Sequence, residues 1–308
     1  MANRKPPHKI YSPAVWPTWI LVALGWVIAR LPLSWIFKLG TYLGRLSHRF
    51  GRSRRLITQT NIRRCFPELN QAQQELRTRR VFEAVGIGAL ELTIPWLNPQ
   101  RDLSQRFDIF GQEHLDEAVA LGRGVILVGG HYAVMDVICQ YFANLKYVDV
   151  MYRANKNPVW QWLQLRGRKH FFEGVIERSD TRQTLRRLKQ GRAIWYAADQ
   201  DYGRNHSVFA PFFGIPAATI IATSRFAKLN NSPVLLLRQT RDQANRRWQI
   251  HFSAVLDNFP SGDDSADAAH INRLLEADIR QQPEQYLWLH KRFKTRPIGE
   301  GAFYPRDI

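Results

Sequence analysis

Cysteine is nearly absent. The 308 residues hold only Cys65 and Cys139, too few for a disulfide framework and without metal-ligand spacing, so a reducing compartment is the simpler setting. Acidic residues are also scarce, with 26 Asp and Glu against 44 Lys and Arg and a net charge of +18. That imbalance calls for an anionic partner, either nucleic acid or anionic lipid. No internal repeat or low-complexity tract divides the chain. A composition of 45% hydrophobic and 23% charged residues favours a packed core over disorder, and the length suits one large domain or two small ones.

A long uncharged run is missing too. The nearest approach, Ala14 to Ala29, covers 16 residues, where a membrane span takes about 20. Arg30 interrupts it and Leu31 to Phe37 is apolar again. Trp16, Trp19, Trp26 and Trp35 suit a bilayer interface. A basic leader (Arg4, Lys5, Lys9) precedes the segment, and Lys38, Arg45, Arg49, Arg52, Arg54 and Arg55 follow it. The downstream excess places the body of the protein on the cytoplasmic side. Two arrangements compete: a span with Arg30 snorkelling from its end, and a helix lying flat in the interface. A cleaved signal peptide is disfavoured by the long apolar core and the poor Val27-Ile28-Ala29 site.

The stretch that organises the rest is Gly124-Val-Ile-Leu-Val-Gly-Gly-His131-Tyr-Ala-Val-Met-Asp136. Val125 to Val128 reads as a buried strand, Gly129 and Gly130 as a turn, and Val134 to Ala143 as an apolar helix. We read His131 as a general base and Asp136 as the carboxylate that orients it. On one regular helix, positions i and i+5 diverge by roughly 140°. The pair can therefore meet only if His131 precedes the helix, on the glycine turn. No second histidine stands near His131 at metal-ligand spacing, which disfavours a metal hydrolase.

Around this stretch the pattern alternates. Asn70 is placed to cap a helix over Gln71 to Leu92. Strands are expected at Phe107 to Phe110, Tyr147 to Tyr152, Val175 to Ile176, Ala193 to Ala198, Pro233 to Arg238 and Trp248 to Ala254. Helices are expected at Glu113 to Leu121, Asn157 to Lys169, Thr181 to Lys189, Thr219 to Leu229 and His270 to Gln281. This predicts an α/β fold with helices packed on a central sheet. His131, Arg153, Asp199 and Asp201 fall at carboxyl ends of strands, where open α/β sheets bind ligands.

Several blocks are specific in combination: Asn61-Ile-Arg-Arg-Cys-Phe-Pro-Glu68, Gly122 to His131, Met151-Tyr-Arg153-Ala-Asn-Lys-Asn-Pro158, Trp195-Tyr-Ala-Ala-Asp199-Gln-Asp201-Tyr-Gly203, Pro211-Phe-Phe-Gly-Ile-Pro-Ala217 and Trp288-Leu-His-Lys-Arg-Phe-Lys294. With them the chain resembles, over nearly its whole length, the lysophospholipid-type acyltransferases. Within these it resembles the lipid A late (secondary) acyltransferases of Gram-negative bacteria, on their lauroyl-type branch. The resemblance implies a central mixed sheet flanked by helices, like that of glycerolipid acyltransferases. It divides the chain into an N-terminal membrane-anchoring helix and basic segment, 1–45, and an acyltransferase domain, 46–308, at the cytoplasmic face of the bacterial inner membrane.

The implied reaction moves an acyl chain from acyl carrier protein to a hydroxyl of a 3-hydroxyacyl chain on a Kdo-bearing lipid A precursor. His131 is then the base, Asp136 its partner, and Arg153, Asp199, Asp201, Phe213 and Gly214 the substrate-binding set. No cofactor or metal is implied beyond the acyl-carrier co-substrate. Direct transfer fits the lack of cysteine or serine between Gly129 and Asp136. Oxyanion donors would be backbone amides of the following helix, or Arg153. Arg166, Arg168, Lys169, Arg182, Arg186, Arg187, Lys291, Arg292 and Lys294 are candidate contacts to the anionic substrate, leaflet and carrier. A glycerolipid acyltransferase is the nearest alternative, and a nucleic-acid-binding protein is one of a different class that has no use for the apolar segment at 14–37.

Overall fold

The computed structural model describes residues 8–305, so the basic Arg4 and Lys5 lie outside the described residues. After two short 3-10 turns (His8–Tyr11 and Pro13–Val15) come five α-helices: α1 (Trp16–Ile28), α2 (Leu33–Phe50), α3 (Arg52–Cys65), α4 (Gln71–Glu91) and the short α5 (Thr93–Leu97). Then the alternation begins with β1 (Phe107–Phe110), α6 (Gln112–Ala120), β2 (Val125–Gly129), α7 (Cys139–Phe142), β3 (Val148–Tyr152), α8 (Pro158–Phe171), β4 (Val175–Glu177), α9 (Thr181–Lys189) and β5 (Ala193–Ala197). It closes with β6 (Ser207–Phe212), β7 (Ile215–Ile220), α10 (Ala222–Asn230), β8 (Val234–Asp242), β9 (Arg247–Phe252) and α11 (Asp264–Gln281).

Seven strands form one sheet in the order β1-β9-β8-β2-β5-β3-β4, and β6 and β7 form a separate hairpin. All pairings in the large sheet are parallel except β8 with β9, so it is mixed, as expected. Both faces are covered. On β2, Ile126 and Val128 join one core, and Val125 and Leu127 the other. A strand buried on both sides has no polar positions to alternate with, which is why it reads as an unbroken apolar run.

Residues 14–37 do not make a single membrane helix. Among the described residues no helix is long and apolar enough to cross a membrane. The 13 residues of α1 reach about 20 Å, against a hydrocarbon core of about 30 Å. Pro32 breaks the run: it precedes α2 in an extended conformation, has no N–H to continue a helix and disfavours helix at the residue before it. Arg101 completes the corner by donating to the carbonyls of Ala29 at 2.9 Å and Leu31 at 2.7 Å, which are left open by the end of α1.

α4 carries the first layer onto the site. Asn70 and Gln73 close a reciprocal capping box at its start, each bond 2.9 Å, which satisfies two orphan donors. Farther along, a Cβ on Gly88 would lie 2.0 Å from the carbonyl oxygen of Ala133. Only glycine lets the helix backbone rest on the loop that carries His131.

Candidate active site

The register of β2 against β5 builds the centre of the site. Gly129 pairs with Ala197 in parallel, so His131 and Asp199 both lie two residues beyond the same rung. Neighbouring strands are about 4.8 Å apart, within reach of two side chains. The His131 Nδ1 lies 2.5 Å from Asp199 Oδ1, and the His131 backbone N–H donates to Asp199 Oδ2 at 3.0 Å. A carboxylate only accepts, so Nδ1 carries the hydrogen and Nε2 is left with its lone pair. Burial pushes the Asp199 carboxyl up. The His131 charge, its ring and backbone N–H groups and the Tyr286 hydroxyl outweigh that, and hold it well below the usual carboxylate range.

The carboxylate that hydrogen-bonds His131 is therefore Asp199, and the expected partner Asp136 is paired with Arg168 instead. Asp136 sits in a short 3-10 turn ahead of α7, in place of the longer regular helix that the apolar pattern predicts. Its Oδ1 accepts from Arg168 Nε at 2.9 Å and Nη2 at 2.7 Å, and both side chains are buried. Burial works against the Arg168 charge, and Asp136 more than restores it. Cys139 is buried against the same carboxylate at 3.8 Å. Burial and then Asp136 push its thiol up, so it is a small packing group rather than a nucleophile.

The carboxyl-terminal segment clamps the His131 loop. Ala133 N–H donates to Gln285 O at 2.6 Å and Leu287 N–H to His131 O at 2.9 Å. Asn61 fixes that segment in turn, donating to the carbonyls of Trp288 and His290 at 2.8 Å each. This explains how blocks 227 residues apart serve one site. It also brings in His290, whose ring centroid lies 6.0 Å from that of His131 and whose Nε2 meets Gln200 at 2.6 Å. Burial, then the neighbouring His131 charge, hold His290 below the ordinary histidine range.

His131 faces a cavity of about 1180 Å³, whose walls include Asp136, Arg153, Arg168, Arg178 and His290. Arg153 is exposed at this cavity, and no hydrogen bond or salt bridge within the described residues holds it. Of the other expected binding residues, Asp199 is the carboxylate on His131, whereas Asp201, Phe213 and Gly214 do not line this cavity. Asp201 accepts from the N–H and hydroxyl of Thr295 at 2.6 and 2.8 Å and so anchors the chain after β5. Phe213 and Gly214 are the two-residue turn of the β6–β7 hairpin, with φ of 51° and 72°, as a type I′ turn requires. Phe213 packs on Phe66 and Trp288. Of the basic candidates, Arg168, Arg187 and Arg292 are spent internally on Asp136, on Asp149, and on Ala218 O and Thr219.

A histidine held by a carboxylate at the carboxyl edge of a sheet, facing a large and partly apolar cavity, is an arrangement compatible with acyl transfer to a hydroxyl. A family model for bacterial lipid A biosynthesis acyltransferases matches residues 5–295. The chain belongs to this family. It is 33% identical to the lipid A biosynthesis lauroyltransferase of Escherichia coli (strain K12), over 96% of this chain and 97% of that protein. It is 32% identical to the palmitoleoyltransferase of the same organism, with the same coverage. Identity to its lipid A biosynthesis myristoyltransferase is 28%, over 96% and 92%. The protein is thus an acyltransferase, as its sequence blocks suggest.

Proposed function

We propose that this acyltransferase transfers a fatty acyl chain from acyl carrier protein to the hydroxyl of a 3-hydroxyacyl chain on a Kdo-bearing lipid A precursor. The observation that carries the reading is the His131–Asp199 pair at the wall of the cavity. His131 Nε2 takes the hydroxyl proton as the oxygen attacks the thioester carbonyl. Asp199 stabilises the imidazolium that results. Arg153 stands free to meet the oxyanion or an acceptor phosphate. Collapse of the tetrahedral intermediate breaks the carbon–sulfur bond, and the imidazolium returns its proton to the departing thiolate. No covalent enzyme intermediate is required.

The acceptor class is tested by offering the purified protein one acyl-carrier thioester with either Kdo-bearing tetraacylated lipid A precursor or lysophosphatidic acid. Transfer to the first and not the second is expected. The reverse preference moves the protein to the glycerolipid class.

The membrane is met by α1 and α2 lying flat on the inner face of the inner membrane. Trp16, Ile20, Leu21, Leu24, Trp26 and Val27 on α1, and Trp35, Tyr42 and Phe50 on α2, are more than half exposed. Apolar faces of that kind, beside basic residues, suit an anionic interface. The double variant Leu21→Glu, Leu24→Glu should leave the pellet when the protein is spun with anionic vesicles. Unchanged co-sedimentation would refute this docking face.

A further inference from the structure

The cavity is walled on both faces of the sheet. Trp195 and Tyr196 are consecutive on β5, so their side chains point to opposite faces, yet both line it. The same is true of Val150 and Met151 on β3. On one face the wall is continued by Leu92, between α4 and α5, by Trp96 of α5 and by Gln164 and Arg168 of α8. On the other face it is continued by Leu185 of α9 and by Phe226 and Leu229 of α10. His131 lines the same cavity from the carboxyl edge of the sheet.

Resting on the acyl-transfer reading above, we propose that the two reacting chains lie on opposite faces of the sheet. The donor's acyl chain occupies the α9–α10 chamber, and the acceptor's hydroxyacyl chain occupies the α4–α5–α8 chamber.

Two observations divide them this way.

First, the rims differ in charge. Arg178 and Arg225 line the α9–α10 chamber, and Arg182 and Arg186 are exposed on α9 beside it. These cations suit the phosphodiester of a phosphopantetheine thioester, whether free or on an acidic carrier. Second, the α4–α5–α8 chamber adjoins the apolar amino-terminal helices. Trp96 shares a core cluster with Val22 of α1, whose outer face is exposed and apolar. A lipid leaving a bilayer at α1 would reach this chamber first.

The test fills one chamber at a time. Wild type, Leu185→Trp and Leu92→Trp are assayed with saturated acyl-carrier thioesters of graded length, and the KM for lipid A precursor is measured in parallel. Leu185→Trp should move the preferred donor to shorter chains, with about tenfold or greater loss of kcat/KM for the chain that wild type prefers, at an unchanged acceptor KM. Leu92→Trp should raise the acceptor KM and leave the donor-length profile in place. The exchanged pattern, or equal effects of both variants on both readouts, overturns the assignment. If a tryptophan variant melts early, Leu185→Ala must instead lengthen the preferred donor, and failure to do so counts equally against it. A wild type that transfers to no lipid A acceptor overturns the acyl-transfer reading, and this inference with it.

Discussion

Asp199→Asn should lower kcat by about four orders of magnitude, by analogy with the loss on converting the buried carboxylate of a catalytic triad to its amide. The reason is the tautomer. An amide that turns its N–H₂ toward Nδ1 moves the ring hydrogen to Nε2, the nitrogen that has to accept the substrate proton. The imidazolium also loses the charge that stabilises it. The fold should survive, because an amide oxygen can still accept from the His131 backbone N–H. Near-wild-type kcat in a folded Asp199→Asn protein would remove Asp199 from the mechanism. Acid titration gives an independent reading. Asp199 lies below its ordinary range in the folded state, so its stabilising contribution is present above the unfolded pKa of about 4 and lost as pH falls through the folded value. The stability gap between wild type and variant should therefore narrow on acidification below that point.

Asp136→Ala should fail differently. It leaves the Arg168 guanidinium buried with its ion-pair partner removed, at a cost of about 3–5 kcal/mol. That is a large share of the stability of an ordinary domain, so the midpoint of denaturation should fall steeply and activity should be lost with it. Replacing both partners with apolar residues, Asp136→Leu with Arg168→Met, should recover most of the loss. Denaturant melts of the three proteins decide the matter, and a wild-type midpoint for Asp136→Ala would refute a structural role for the Asp136–Arg168 pair. The two aspartates are thus separable: one variant is folded and inactive, the other is unstable.

These roles separate the parts of the site that are legible in the sequence from those that are not. The β2 and β5 strands announce themselves as apolar runs because they are covered on both faces. The His131 turn is legible from its two glycines, and the Asn70 cap from its residue type. The partner of His131 is not, because proximity in sequence favours Asp136 at five residues over Asp199 at 68. Only the pairing of β2 with β5, and its register, bring Asp199 across. A single chain carries no record of that pairing. Arg168 is hidden in the same way: an arginine in a basic helix reads as surface until α8 is known to pack beside Asp136.

The amino-terminal helices mislead for a related reason. Apolar residues and tryptophans, weighed as a window, suggest one segment, whereas Pro32 ends one helix and starts the next. Phe213 and Gly214 suggest a substrate contact because their block is specific. The structure gives that block a turn whose backbone needs positive φ at both positions. Asp201 falls in with Asp199 by nearness, yet the chain leaves the strand between them, and Asp201 turns to Thr295.

The mechanism proposed above makes His131, held by Asp199, the base for acyl transfer to lipid A. It is tested most directly by following a labelled acyl group from carrier thioester to purified lipid A precursor, with wild type and His131→Gln in the same vesicles and their melting curves recorded. Transfer by wild type, with a loss of about a hundredfold or more in an equally stable variant, is the result predicted. Comparable rates in the two proteins would contradict it.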